Sequence, residues 1–195
     1  MQTRARQREH EILRAAIRVF ARQGYHKSKV GEVAAEAGVA YGLVYHYFGS
    51  KESLLETIFR RTWKQMLRFV QEIEESDTTS QEQLRAVAGL VLQAWRLDPE
   101  LVGVLVREVT RSPQLQNEVD EIAHAFAALE RIVARGQERG ELRPDLDARL
   151  ASWAFYGALE EILTGWVFGR LPDDEEATAR AEQMVVSLLL DGLNA

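Results

Sequence analysis

Hydrophobic positions recur with a helical period along almost the whole chain, and no long segment alternates strictly enough for a strand. In the first segment Ile12, Ala15, Ala16, Val19 and Phe20 fall at i, i+3, i+4, i+7 and i+8, which sets them on one face of a helix that Gly24 ends. Ser28 is positioned to cap a second, short helix with Val30, Val33, Ala34 and Ala37 inward, and Gly38 behind it suits a left-handed turn. A third short helix is predicted from about Tyr41 to Tyr47, and Ser50, with Glu52 in the first turn behind it, opens a long fourth one. Asp98-Pro99-Glu100 and Ser112-Pro113 each set a capping side chain before a proline at the first helical position, where its missing N–H costs nothing. Further helices are expected over Ser80 to Leu97, about Pro113 to Arg139, about Leu146 to Phe168, and after Leu171-Pro172-Asp173-Asp174. The pattern therefore predicts an all-α chain of about nine helices, without repeats, low-complexity tracts or flexible linkers.

Composition narrows the class. With 195 residues, 46% hydrophobic and 28% charged, the chain falls in the globular range of one or two domains. It has no cysteine, which excludes disulfides, thiolate metal sites and a cysteine nucleophile and fits a reducing, cytoplasmic location. No run of 18 apolar residues occurs and the basic start lacks a continuous apolar stretch, so a soluble protein without membrane span or signal peptide is expected. The four histidines are scattered without a carboxylate at metal-ligand spacing, and no nucleophile stands beside a base. Neither a metal, a cofactor nor a catalytic residue is predicted.

Charge changes the picture more. Met1 to Lys51 carries nine Lys or Arg against four Glu, about +5, which leaves 15 basic and 26 acidic residues, about −11, for the remainder. A small basic contact module on an acidic body follows. The second and third helices, joined around Gly38 with Val33, Ala37, Val39, Val44 and Phe48 inward, have the helix-turn-helix arrangement. With Val44 and Phe48 one turn apart and inward, Tyr41, Leu43, Tyr45, His46 and Tyr47 cannot all be core. Ser28, Lys29, Tyr47 and Lys51 are placed for backbone phosphates, Tyr41, Gly42, Leu43 and His46 for base edges, and Tyr45 for either. His26 is read as lying near the same surface.

From about Ile12 to Leu55 the chain resembles the DNA-binding domain of the TetR family of bacterial repressors, through "AAIRVFARQGY" and "VAAEAGVAYGLVYHYFGSKESLL". The resemblance implies an all-helical homodimer: residues 1–51 as the DNA-binding domain, extending into the start of the fourth helix, and residues 52–195 as a helical ligand-binding and dimerisation domain. The double-stranded operator is expected to be palindromic. Leu43 departs from the small polar residue frequent in the family, which leaves the operator sequence open. The last two helices, with Trp153, Tyr156, Leu159 and Trp166 on one and Met184, Val185, Leu188 and Leu189 on the other, are the implied dimer interface.

The stretches "GYHKSKV", "AGVAYG" and "LDARLASWAFYGALEEILTGWVFG" are similar to the FadR-type repressors of fatty-acid degradation within that family, which release DNA on binding long-chain acyl-CoA. Such a ligand needs an apolar tunnel and cations for its phosphates. Trp95, Val104, Phe126, Leu129, Val133, Trp153, Tyr156 and Trp166 are tunnel candidates. Arg107 with Arg111, and Arg131 with Arg135, stand at i and i+4 as phosphate candidates, although pairing with Glu108 or Glu130 on a solvated face is equally open. Glu160, costly inside so apolar a helix, meets an arginine or a polar ligand group. Two alternatives remain: a different hydrophobic or aromatic inducer, and, more remotely, a helical enzyme acting on an acyl thioester with Glu160 or Glu161 as base.

Overall fold

The computed structural model describes residues 2–109 and 120–193. Among them it has nine helices and no strand. They are α1 (Gln2–Gln23), α2 (Val30–Glu36), α3 (Tyr41–Phe48), α4 (Lys51–Glu74), α5 (Ser80–Leu97), α6 (Pro99–Val109), α7 (Asp120–Glu138), α8 (Ala148–Val167) and α9 (Glu175–Leu193). The expected start at Ser112-Pro113 lies outside the described residues.

Two compact units divide the chain. Residues 2–62 and 100–109 form the first, so α6 belongs with α1, α2 and α3; residues 63–99 and 120–193 form the second. The boundary read from the sequence, at 51/52, falls on the first turn of α4, whereas the first unit runs to Thr62.

In the first unit the predicted stripe is the core: Ile12, Ala15, Ala16, Val19 and Phe20 are buried with Val33, Val44 and Phe48. Phe20 meets Tyr25 edge-on, ring centroids 5.3 Å apart. Arg18 donates to Glu36 at 2.7 Å, tying α1 to α2. Gly38 takes φ 65° between α2 and α3, a conformation that costs other residues about 1–2 kcal/mol. Ser50 opens α4 as expected, its hydroxyl accepting the Ser53 N–H at 3.0 Å. Ser28 does not cap α2. Lys29 holds that position, and Glu32 reaches back to accept the Lys29 N–H at 2.7 Å.

The second unit is built on α5, α7 and α8, which bury Leu84, Ala88, Leu92, Ala128, Ile132 and Leu159 among them. Thr79 caps α5: it accepts from the Glu82 N–H at 3.2 Å while the Glu82 carboxylate accepts the Thr79 N–H at 2.9 Å, a reciprocal capping box. Asp147 caps α8, accepting from the Leu150 N–H at 2.7 Å. The α8 face carrying Phe155, Leu159, Leu163 and Trp166 is buried, and Leu150 and Trp153 are exposed on the other.

Candidate functional site

The short α3 presents the first candidate surface. Its inward residues Val44 and Phe48 fix the rotation of the helix, and the remaining positions follow from that. Tyr41, Gly42, Tyr45 and His46 are exposed, and Leu43 and Tyr47 are half-buried. Tyr41 and Tyr45, 55% and 41% exposed, touch each other: the hydroxyls are 3.0 Å apart and the ring centroids 4.9 Å. That hydrogen bond is the largest cause raising the Tyr45 phenol above its ordinary range, with desolvation and the Tyr41 and Glu52 charges adding. A Cβ on Gly42 would meet nothing within 4 Å among the described residues, so no packing against them calls for glycine there. His46 stands edge-on to Tyr47 at 5.6 Å. Lys29 is exposed at the start of α2.

Two residues read from the sequence as phosphate contacts turn inward. Ser28 is buried, and its hydroxyl donates to the Tyr25 carbonyl at 2.6 Å. The Lys51 ammonium donates to the carbonyls of Tyr25 at 2.9 Å and Ser28 at 3.1 Å, approaches that of His26 at 3.5 Å, and lies 4.3 Å from the centre of the Tyr25 ring. An ammonium has three protons, and carbonyls of the turn between α1 and α2 take them. Tyr25, which sequence reasoning passed over, is the hub of this cluster; burial first, then Glu52 and Glu108, push its hydroxyl up to about 12. His26 is exposed, with its Nε2 3.6 Å from the Glu108 carboxylate.

In the second unit the structure gathers the predicted aromatic residues into two clusters. Phe126 stacks on Trp153 at 4.5 Å and meets Tyr156 edge-on at 5.0 Å. Trp95 stacks on Trp166 at 6.4 Å. Trp166 is buried, and its indole N–H finds no acceptor among the described residues. Leu129 and Val133 are buried on α7, while Val104 and Arg107 belong to the first unit. Arg111 lies outside the described residues. Glu160 is half-buried, and desolvation first, then Glu161, raises its carboxyl above the ordinary range. Burial and the Glu160 charge raise the Tyr156 hydroxyl in turn.

The second arginine pair is already partnered. Arg131 holds Glu74 in a two-point bridge, both contacts 2.7 Å, and Arg135 donates to the Glu74 carbonyl at 2.9 Å. The partner is the end of α4, not the Glu130 that the spacing suggested, because the pair points across to a neighbouring helix. Glu74 and Trp63 were missed in the sequence. Trp63 lies 6.1 Å from Tyr156, and its signal was the spacing Phe59, Trp63, Val70 on one face of α4.

The first unit thus holds a helix-turn-helix whose second helix, α3, turns aromatic side chains outward. Residues 12–58 match the family model of bacterial regulatory proteins, tetR family, and residues 60–192 match that of the YsiA-like protein, C-terminal region. The chain belongs to the TetR family. Among TetR-family relatives, the fatty acid metabolism regulator protein of Bacillus subtilis (strain 168) is 31% identical over 94% of this chain and 94% of its own length. The crystal structure of FadR from Bacillus subtilis in complex with stearoyl-CoA superimposes with a TM-score of 0.83 at 30% identity, covering 94% of this chain and 98% of that one. FadR from Bacillus halodurans, a fatty acid degradation regulator, gives 0.84 at 26%, covering 95% of each. No described helix is long and apolar enough to cross a membrane, and no group of three His, Asp or Glu among the described residues is placed to hold a metal.

Proposed function

We propose that this TetR-family chain is a homodimeric transcriptional repressor of fatty-acid degradation genes that leaves a palindromic operator when it binds long-chain acyl-CoA. The observation that carries the reading is the joint one: an exposed α3 bearing Tyr41, Gly42, Tyr45 and His46, on a chain 30% identical over nearly its full length to a FadR solved with stearoyl-CoA. The half-buried Leu43 and Tyr47 flank that face, and Lys29 supplies a cation beside it. In the second unit Trp95, Phe126, Tyr156 and Trp166, backed by Leu129 and Val133, supply the apolar wall an acyl chain requires. Arg131 and Arg135 serve the ligand's phosphates only by leaving Glu74, which makes Glu74 a competitor for that site. Exposed Leu150 and Trp153 on α8 and Met184 and Leu188 on α9 form the dimer surface.

Release requires only that acyl-CoA bind the DNA-incompetent state more tightly; a coupling of about 1–3 kcal/mol lowers operator affinity about 5- to 150-fold. A gel shift on DNA upstream of the gene, titrated with long-chain acyl-CoA, the matching free fatty acid and free CoA, tests this. Release by acyl-CoA alone is expected. Binding that all three leave intact sinks the acyl-CoA inducer and favours the second reading, an aromatic inducer, which the Phe126, Trp153 and Tyr156 cluster supports.

A further inference from the structure

The exposed tyrosines of α3 form a unit whose chemistry goes further than general DNA contact. Tyr41 and Tyr45 stand one turn apart on the outward face, their hydroxyl oxygens 3.0 Å from each other. A hydroxyl–hydroxyl hydrogen bond uses one proton and one lone pair. The donating phenol keeps lone pairs free, and the accepting phenol keeps its proton free. Whichever of the two donates, the pair presents one acceptor and one donor side by side.

The two rings lie 4.9 Å apart at a 56° tilt, and Gly31 of α2 leaves room beside Tyr41: a Cβ there would stand 3.8 Å from the Tyr41 ring carbons. Gly42, beside Tyr41, adds no bulk to the same face. The Tyr45 phenol, held above its ordinary range, stays protonated at neutral pH.

A phosphate oxygen has only acceptor sites and answers one half of such a pair. Among single bases in the major groove, guanine shows two acceptors, cytosine a donor, and thymine an acceptor and a methyl group. Adenine alone sets an acceptor, N7, beside a donor, the N6 amino group. Asn and Gln read adenine because one amide carries the matching donor and acceptor. We propose that Tyr41 and Tyr45 together do the same, as a two-residue bidentate reader of one adenine in each half-site. This rests on α3 being the recognition helix.

The test is selection from a library of random-sequence duplexes by the full-length wild type, Tyr41→Phe, Tyr45→Phe and the double variant. The wild type should select a half-site with one adenine preferred about 5- to 150-fold over the other bases. Each single variant should lose that preference, the double variant should lose no more, and preferences at other positions should survive, which shows that the variants fold and dock. Replacing the adenine with 7-deazaadenine, which lacks N7, should cost the wild type affinity and cost Tyr45→Phe nothing further. Variants that keep every base preference while binding all sequences more weakly would identify the tyrosines as phosphate contacts and overturn the proposal. Strictly additive losses would also overturn it, because the two would then read separately. A wild type that selects no sequence removes the recognition-helix reading itself, a failure distinct from both.

Discussion

Lys29 and Lys51 are equal in charge and only 22 positions apart, yet the structure gives them opposite work. The Lys51 protons go to the carbonyls of Tyr25 and Ser28 over the Tyr25 ring, whereas Lys29 is exposed. Lys51→Met should therefore lower unfolding free energy by about 1–3 kcal/mol, the cost of stranding partly buried acceptors, and leave the salt dependence of operator binding unchanged. Lys29→Ala should leave stability within about 0.5 kcal/mol and reduce the slope of log K against log salt by about one. Denaturant melts and binding isotherms from 50 to 200 mM salt check both, and a flatter slope in Lys51→Met would restore that residue to the phosphate contacts. This is also where the sequence was least legible. With Val44 and Phe48 inward, spacing required several of Tyr41, Leu43, Tyr45, His46 and Tyr47 to face outward, because a local 3.6-residue period determines it; Tyr41, Tyr45 and His46 do, while Leu43 and Tyr47 are half-buried. The targets of Ser28 and Lys51 are carbonyls of an irregular turn, in the Lys51 case 23 and 26 positions away, and no periodicity encodes them.

Helices were legible because their caps and stripes are local: the helix expected over Ser80 to Leu97 has those bounds, and the misplaced cap, Ser28, is one residue off. Contacts between helices were not. Gly136 on α7 and Gly165 on α8 look alike in sequence, but their surroundings differ. A Cβ on Gly136 would lie 2.7 Å from the Leu142 Cδ1 and 2.8 Å from the Ser80 Cβ, and both neighbours are fully buried. A Cβ on Gly165 would lie 2.6 Å from Leu171, a partly exposed loop side chain with room to turn away. Gly136→Ala should cost about 1–3 kcal/mol as overpacking, while Gly165→Ala should cost less, as thermal unfolding would report. Glu160 gives α8 a pH dependence. Its carboxyl is raised in the fold by burial and by Glu161, so the native state holds the proton more tightly than the unfolded chain. Stability is then lost as pH rises from the ordinary value of 4.5 through the raised one. Glu160→Gln should unfold at a higher temperature than wild type at pH 8, with the difference vanishing near pH 4; a constant difference would assign the effect to packing.

At the scale of the assembly, the apolar residues left outside the core decide the argument. Met184 and Leu188 are 65% and 71% exposed one turn apart on α9, and Leu150 and Trp153 are exposed one turn apart on α8. Two helices of one unit that each bury one apolar face and expose a second fit a two-fold surface, in which each copy covers the same residues on the other. A charge inserted there is desolvated twice, once in each copy. Leu188→Asp should therefore give a monomer by sedimentation equilibrium at concentrations where the wild type is a dimer. The consequence for DNA follows from linkage of two sites. A dimer docks its second recognition helix at the high effective concentration set by the first, which adds about 10²- to 10⁴-fold to affinity for a palindrome. The monomer should lose that factor on the full operator and bind an isolated half-site as the wild type does. Equal weakening on both substrates would mean that the substitution disturbs the fold, and an unchanged dimer would move the interface off this face of α9.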